Sequence, residues 1–147
     1  MKKIIFATLA LTSTLAMAED HSITKVSKPG QVNIVKDGVG LAFFNLRFGD
    51  FPKASIGKEK NLLKIEWETT SYPENPDEKV ELCYYPHGSL RQETCNWISP
   101  NTRGETYAFN EQKFETYSYA VIKHHINGGK QPARSAAQDK VIFHYSY

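Results

Sequence analysis

Cysteine is nearly missing from this chain: Cys83 and Cys95 are the only two. No C-x-x-C pair exists, so a thioredoxin-like redox centre has no local signature. A zinc site normally takes four ligands, and between the two cysteines only His87 offers another. An excess of one charge is missing as well, with 18 Lys and Arg against 16 Asp and Glu. No basic run exceeds a dipeptide, which leaves a nucleic-acid partner without support. The nucleophile elbow G-x-S-x-G, the zinc motif H-E-x-x-H, the P-loop and the dinucleotide fingerprint G-x-G-x-x-G are all absent. Beyond the first residues no segment approaches the ~20 apolar residues of a membrane span.

What is present begins with an export signal. Lys2 and Lys3 precede the apolar stretch IIFATLALTSTLAMA, and Ala16 and Ala18 supply small residues for cleavage. A basic start, a core too short to cross a bilayer and small residues at the cut are the secretory pattern. Residues 1–18 are therefore expected to be removed, leaving residues 19–147 as a single exported domain. Removal takes two lysines and no acid, so the mature chain carries 16 basic and 16 acidic residues. Placement outside the cytoplasm follows, in an oxidising setting. In that oxidising setting an even pair of cysteines reads as a disulfide, Cys83–Cys95, that ties the end of one strand to the returning chain.

Strand patterns dominate. In Leu62–Glu68, the residues Leu63, Ile65 and Trp67 share one parity while Lys64, Glu66 and Glu68 share the other. Lys79–Tyr84 alternates again and is expected to bury Val80, Leu82 and Tyr84, with Cys83 on the other parity. Thr106–Phe109, Thr116–His125 and Val141–Tyr145 read as further strands, the last burying Val141, Phe143 and Tyr145. Val32–Val35 and Val39–Phe44 flank Asp37-Gly38, a hairpin signal. Turns are expected at Ser71–Glu78, Pro86–Ser89, Ser99–Gly104 and Asn127–Gly129, and one helical turn after Pro132 within Gln131–Asp139. About seven short strands with turns at this spacing predict an all-β chain, an antiparallel β-sandwich or partly open barrel.

The candidate chemistry is sparse. His124 and His125 are adjacent on a strand and so face opposite ways, unable to chelate one ion together. The histidines are expected as partly exposed strand residues, with His21 in a mobile N-terminus. Glu66 and Glu68 are expected on a solvated strand face, not as paired catalytic acids. No catalytic residue, metal or cofactor is expected, and the chain reads as a non-enzyme. The aromatics are plentiful, with eight Tyr, eight Phe and two Trp. Tyr84-Tyr85 and Tyr117/Tyr119 are expected to divide between core and surface, where exposed Tyr and Trp suit protein or glycan contacts.

An ordered series of elements resembles the enterobacterial flagellar protein FlhE family. It comprises Ile65-Glu66-Trp67, then Lys79–Cys83 ending in Leu-Cys, then Cys95, then Gly104–Phe109 with Gly-Glu-Thr-x-x-Phe. An aromatic strand leading to Gly128, Gly129 and Pro132 follows, then the terminal Val141–Tyr145. The likeness spans residues 62–147; the loop between the cysteines is longer here, and residues 19–60 stand outside it. The resemblance implies a periplasmic, non-enzymatic accessory of the flagellum. Such a protein would bind export or rod components and support motility or swarming. The competing expectation is a secreted or periplasmic binding module of another system: an adhesin-like subunit, a glycan binder or an inhibitor of a host hydrolase.

Overall fold

In the computed structural model, residues 19–88 and 94–147 are described. The export signal expected at residues 1–18, and Ser89 of the expected turn, lie outside them. Among the described residues there are eight strands: β1 (His21–Ser27), β2 (Gly38–Asn45), β3 (Asn61–Glu68), β4 (Glu78–Tyr85), β5 (Thr94–Ile98), β6 (Arg103–Thr106), β7 (Tyr119–Ile126) and β8 (Asp139–Ser146). They form two four-stranded sheets, ordered β1-β8-β3-β6 (sheet 1) and β2-β7-β4-β5 (sheet 2). Every pairing is antiparallel. The chain thus nests as one long hairpin, β1 on β8, β2 on β7, β3 on β6 and β4 on β5, rolled so that β8 meets β3 and β7 meets β4. This is jelly-roll order, a sandwich rather than a closed barrel.

One core fills the space between the sheets, because each strand turns alternate apolar residues inward. Ala42 and Phe44 from β2, Val80, Leu82 and Tyr84 from β4, and Ala120 and Ile122 from β7 meet Ile65, Val141, Phe143 and Tyr145 of sheet 1. The inward set expected for β4 and β8 is the observed one. In β3 it is not: pairing with β8 shifts register between Leu62 and Lys64, so Leu62 is buried and Leu63 is only partly so. The bulge moves one residue across the sheet and breaks the simple alternation.

Three local expectations are corrected. Residues 32–35 do not form a hairpin with β2. Val32 and Ala133 exchange backbone hydrogen bonds, at 3.0 and 2.8 Å, and Val35 O accepts from Gly128 N, so that segment is committed elsewhere. Asp37 still turns the chain, in the left-handed region at φ 55°. The segment Gln131–Asp139 forms no helix; Ala133 is held by Val32, and Ala136 N donates to Ser71 O. His21 is not in a loose terminus but opens β1, opposite Tyr145 and stacked on Tyr147 at 4.5 Å.

The disulfide Cys83–Cys95 joins directly opposed residues of β4 and β5, the innermost turn of the nested hairpin. Among the described residues this is the single paired set of strands that is consecutive in the chain. Its short loop contributes about 3 kcal/mol by the loop-entropy estimate.

Candidate functional site

Three places gather chemistry, and the first is sealed. His124 takes the inward parity of β7 with Ala120 and Ile122, and its side chain is fully buried. Its Nδ1 lies 2.5 Å from Glu78 Oε1 and its Nε2 lies 2.8 Å from Asp139 Oδ2. Both partners are carboxyl oxygens, and with both acids ionised each ring nitrogen donates and the ring is an imidazolium. Burial alone would push its pKa down, but the hydrogen bonds from Asp139 and Glu78 and their charges raise it to about 9. The second oxygen of each acid is also used: Tyr72 N donates to Glu78 Oε2 at 2.9 Å and Thr70 N to Asp139 Oδ1 at 2.7 Å. Tyr72 packs on the imidazole, 5.4 Å between rings, and its hydroxyl donates to Gly30 O at 2.5 Å. Burial, with the charges of Asp139 and Glu78, holds the Tyr72 phenol above its ordinary range. The cluster ties β4 and β7 of sheet 2 to β8 of sheet 1 and to the loop after β3. Solvent does not reach His124, and its hydrogen bonds join the two layers. The expectation of partly exposed histidines fails here: parity put His124 inside, and two acids made that tolerable.

The outer faces of the two sheets differ in kind. On sheet 1, Thr24, Ile142, Glu66 and Glu105 form one cross-strand row and Val26, Lys140, Glu68 and Arg103 the next. Lys64 pairs with Glu66 at 2.9 Å and Glu105 at 2.7 Å, and Glu68 pairs with Lys140 at 2.7 Å and Arg103 at 3.2 Å. Hydrogen bonds from Lys64 hold Glu66 and Glu105 below the usual carboxylate range, and Lys140 does so for Glu68. His144 Nε2 lies 3.2 Å from Glu66 without hydrogen-bond geometry. Glu66 and Glu68 are thus members of a solvated ion-pair lattice, as the strand parity implied.

Sheet 2 turns a different surface outward. Its rows across β2, β7, β4 and β5 read Leu41–Lys123–Glu81–Trp97 and Phe43–Val121–Cys83–Cys95, and across the first three strands Asn45–Tyr119–Tyr85. Trp97 is 65% exposed, Phe43 49%, Val39 41% and Leu41 38%. Tyr85 and Tyr119 stack at 4.6 Å, and Lys123 lies over the Tyr85 ring at 5.9 Å. His125 Nε2 meets Glu81 at 2.9 Å and its ring lies 5.6 Å from that of Trp97. On this face Glu81 is paired with His125, and the exposed groups are Val39, Leu41, Phe43 and Trp97 with Lys79. The exposed apolar groups stand at the two edges of the sheet, Val39, Leu41 and Phe43 on β2 and Trp97 on β5, with Lys123, Glu81 and the buried Val121 and Cys83 between them. As expected, His124 and His125 face opposite ways, and Tyr84 is buried while Tyr85 lies at the surface. Glu81, Cys83 and Cys95 bring ligand-type atoms within 4.8 Å of one another, but both sulfurs are spent in the disulfide.

The third place is one end of the sandwich, where the exposed rings of Phe48 and Tyr117, 60% and 62% exposed, stand near Arg47. His87, expected as a turn residue, lies in the turn after β4, 5.5 Å from the Tyr117 ring and 3.6 Å from Glu115. Among the described residues no helix is long and apolar enough to cross a membrane.

No family model matches the chain, and no curated protein matches it in sequence. Among solved structures, a crystal structure of FlhE superposes with a TM-score of 0.62 at 16% identity, over 88% of this chain and 100% of the other. That share exceeds what residues 62–147 supply, so the likeness reaches into the N-terminal part left outside the sequence resemblance. At this identity the likeness is one of fold. Two plant viruses, Desmodium yellow mottle tymovirus and turnip yellow mosaic virus, align at TM-scores of 0.41 and 0.39 with 8% and 10% identity, too distant to carry an argument. They cover 95% and 99% of this chain and 93% and 89% of theirs.

Proposed function

We propose that the mature chain is a periplasmic, non-enzymatic accessory protein of the flagellum that binds export or rod components and so supports motility or swarming. The observation that carries the binding role is the outer face of sheet 2, where Leu41 and Phe43 stand exposed on one edge strand and Trp97 on the other. On the opposite face Lys64, Glu66, Glu68, Arg103, Glu105 and Lys140 pair with one another, and Val26 on the edge strand is the exposed apolar group. The flagellar assignment draws on the fold shared with FlhE and on the ordered sequence elements that resemble that family. The periplasmic placement draws on the leader-like first residues and on the Cys83–Cys95 bond, which persists in an oxidising compartment. The non-enzymatic reading draws on His124, Glu78 and Asp139: the most densely hydrogen-bonded ionisable cluster is closed to solvent and works as a tie between layers.

Deletion and complementation test the assignment. Loss of swarming on deletion, restored by the wild-type gene and not by Trp97→Ser with Leu41→Asp, is the expected result. Both positions are exposed, so these substitutions change stability by roughly 1 kcal/mol or less. Normal swarming in the deletion strain would sink the flagellar reading. The stacked Tyr85 and Tyr119, on the same sheet face as Trp97, favour one competitor, a glycan-binding module, since flat rings also suit sugar faces. A glycan-array signal abolished by Trp97→Ser would select that reading instead.

A further inference from the structure

We propose that Tyr117, Phe48 and Arg47 form a recognition site for a partner-protein segment that carries an apolar side chain next to a carboxylate. The site is a hollow of about 460 Å³ at the end of the sandwich, lined by Asn45, Leu46, Arg47, Phe48, Gly49 and Tyr117. Tyr117 is also part of the wall of a larger hollow of about 910 Å³ with His87, Lys113 and Glu115, so its ring stands as a partition between two concavities.

The backbone at Tyr117 is the first observation. Its φ is +70°, the left-handed region where a bulky side chain is strained by about 1–2 kcal/mol and glycine is not. The surrounding bonds impose it: Tyr117 N donates to Leu46 O at 2.9 Å, Leu46 N to Ser118 O at 3.0 Å, and Ser118 N to Glu115 O at 3.1 Å. The position asks for glycine, and the sequence places there an aromatic ring that is 62% exposed. Packing does not account for that ring; a surface task does.

Charge is the second observation. The neighbouring acid, Asp50, is already engaged by Lys25 Nζ at 2.6 Å and by the backbone N–H of Arg47 at 2.6 Å. Among the described residues the exposed Arg47 guanidinium has no carboxylate in ion-pair range. A guanidinium beside two exposed rings fits a ligand that offers a carboxylate to the planar fork and an apolar group to the rings. The third observation is continuity. Asn45 ends β2, whose Leu41 and Phe43 belong to the outer face of sheet 2, so a partner lying across that face reaches this hollow.

This site rests on the protein-binding reading above, but not on the flagellar assignment, which swarming decides separately. The test is amide chemical-shift mapping of the intact protein with N-acetyl-phenylalanine and, in parallel, with its uncharged amide N-acetyl-phenylalaninamide. Shifts should gather at residues 45–49 and 116–118, with the acid bound roughly tenfold tighter than the amide. Arg47→Gln should make acid and amide equal. Tyr117→Gly should abolish binding while the melting temperature holds or rises, because glycine relieves the left-handed strain. Equal affinity for acid and amide in the wild type, absence of shifts at millimolar probe, or a Tyr117→Gly variant that binds normally would overturn the proposal. A marked loss of melting temperature in Tyr117→Gly would also overturn it, since the ring would then be a packing group.

Discussion

Raising the pH should loosen this protein through a single buried residue. His124 titrates at about 9 in the folded chain against 6.5 for an ordinary histidine. Below pH 6.5 the ring is protonated both folded and unfolded, and the full stabilisation from Glu78 and Asp139 is present. As pH rises through the folded value, the unfolded chain has already lost its proton and the folded chain must lose one as well. The contribution therefore drains away between 6.5 and about 9, to a total of roughly 3 kcal/mol. For a domain of this size that is a fall of roughly 10 °C in melting temperature. The groups facing the ring are Glu78 on β4, Asp139 on β8 and Tyr72 in the loop after β3, whose phenol is held above its ordinary range and stays protonated throughout. Thermal and urea unfolding across that pH range measure the slope. His124→Gln removes the charge, leaves two buried carboxylates facing a neutral amide and should cost about 3–5 kcal/mol. Its alkaline slope should be flat relative to wild type. Glu78→Gln keeps the histidine, weakens its field and should move the fall to lower pH. A wild-type midpoint that stays level from neutral pH to pH 9, or a His124→Gln slope equal to wild type, would refute the imidazolium assignment.

Two further outcomes follow from the packing and the staple. At Gly40 a β-carbon would fall on the Tyr72 hydroxyl, so Gly40→Ala must displace the ring that covers His124. It should cost about 1–3 kcal/mol in urea unfolding and shift the alkaline transition as well; an unchanged midpoint would refute the close approach. Replacing Cys83 and Cys95 together with serine should lower stability by about 3 kcal/mol in non-reducing buffer. Wild type treated with reductant should fall to the same level, and no difference between the two oxidised proteins would contradict the staple role.

How far the fold could be read from sequence depended on how much each strand buries. β4 and β8 bury three apolar residues on one parity, and both were legible with the right inward set. β1, HSITKVS, buries Ile23 alone, so alternation gave no signal; pairing with β8 makes it a strand. The bulge at Leu62–Lys64 moved Leu62 inward, a shift that follows from cross-strand register and not from local pattern. Strand order was out of reach because only β4 and β5 are neighbours in both chain and sheet. At His124 the signal was available: it shares parity with Ala120 and Ile122, and an inward histidine demands acids. Those acids, Glu78 and Asp139, stand 46 and 15 residues away in sequence, so the partners were not legible even though the direction was. Aromatic richness alone does not say which rings share a face; cross-strand pairing is what puts Trp97, Phe43 and Leu41 on the same outer face.

Site-specific photo-cross-linking in living cells bears most directly on the claim that sheet 2 is the working face. A photoreactive residue at Trp97 or Phe43, on the exposed outer face of sheet 2, should capture a flagellar export or rod component. The same group at Ile142 or Glu105, in the ion-pair lattice of sheet 1, should not. Capture of a flagellar component from sheet 1 positions with none from sheet 2, or equal capture from both, would contradict the account.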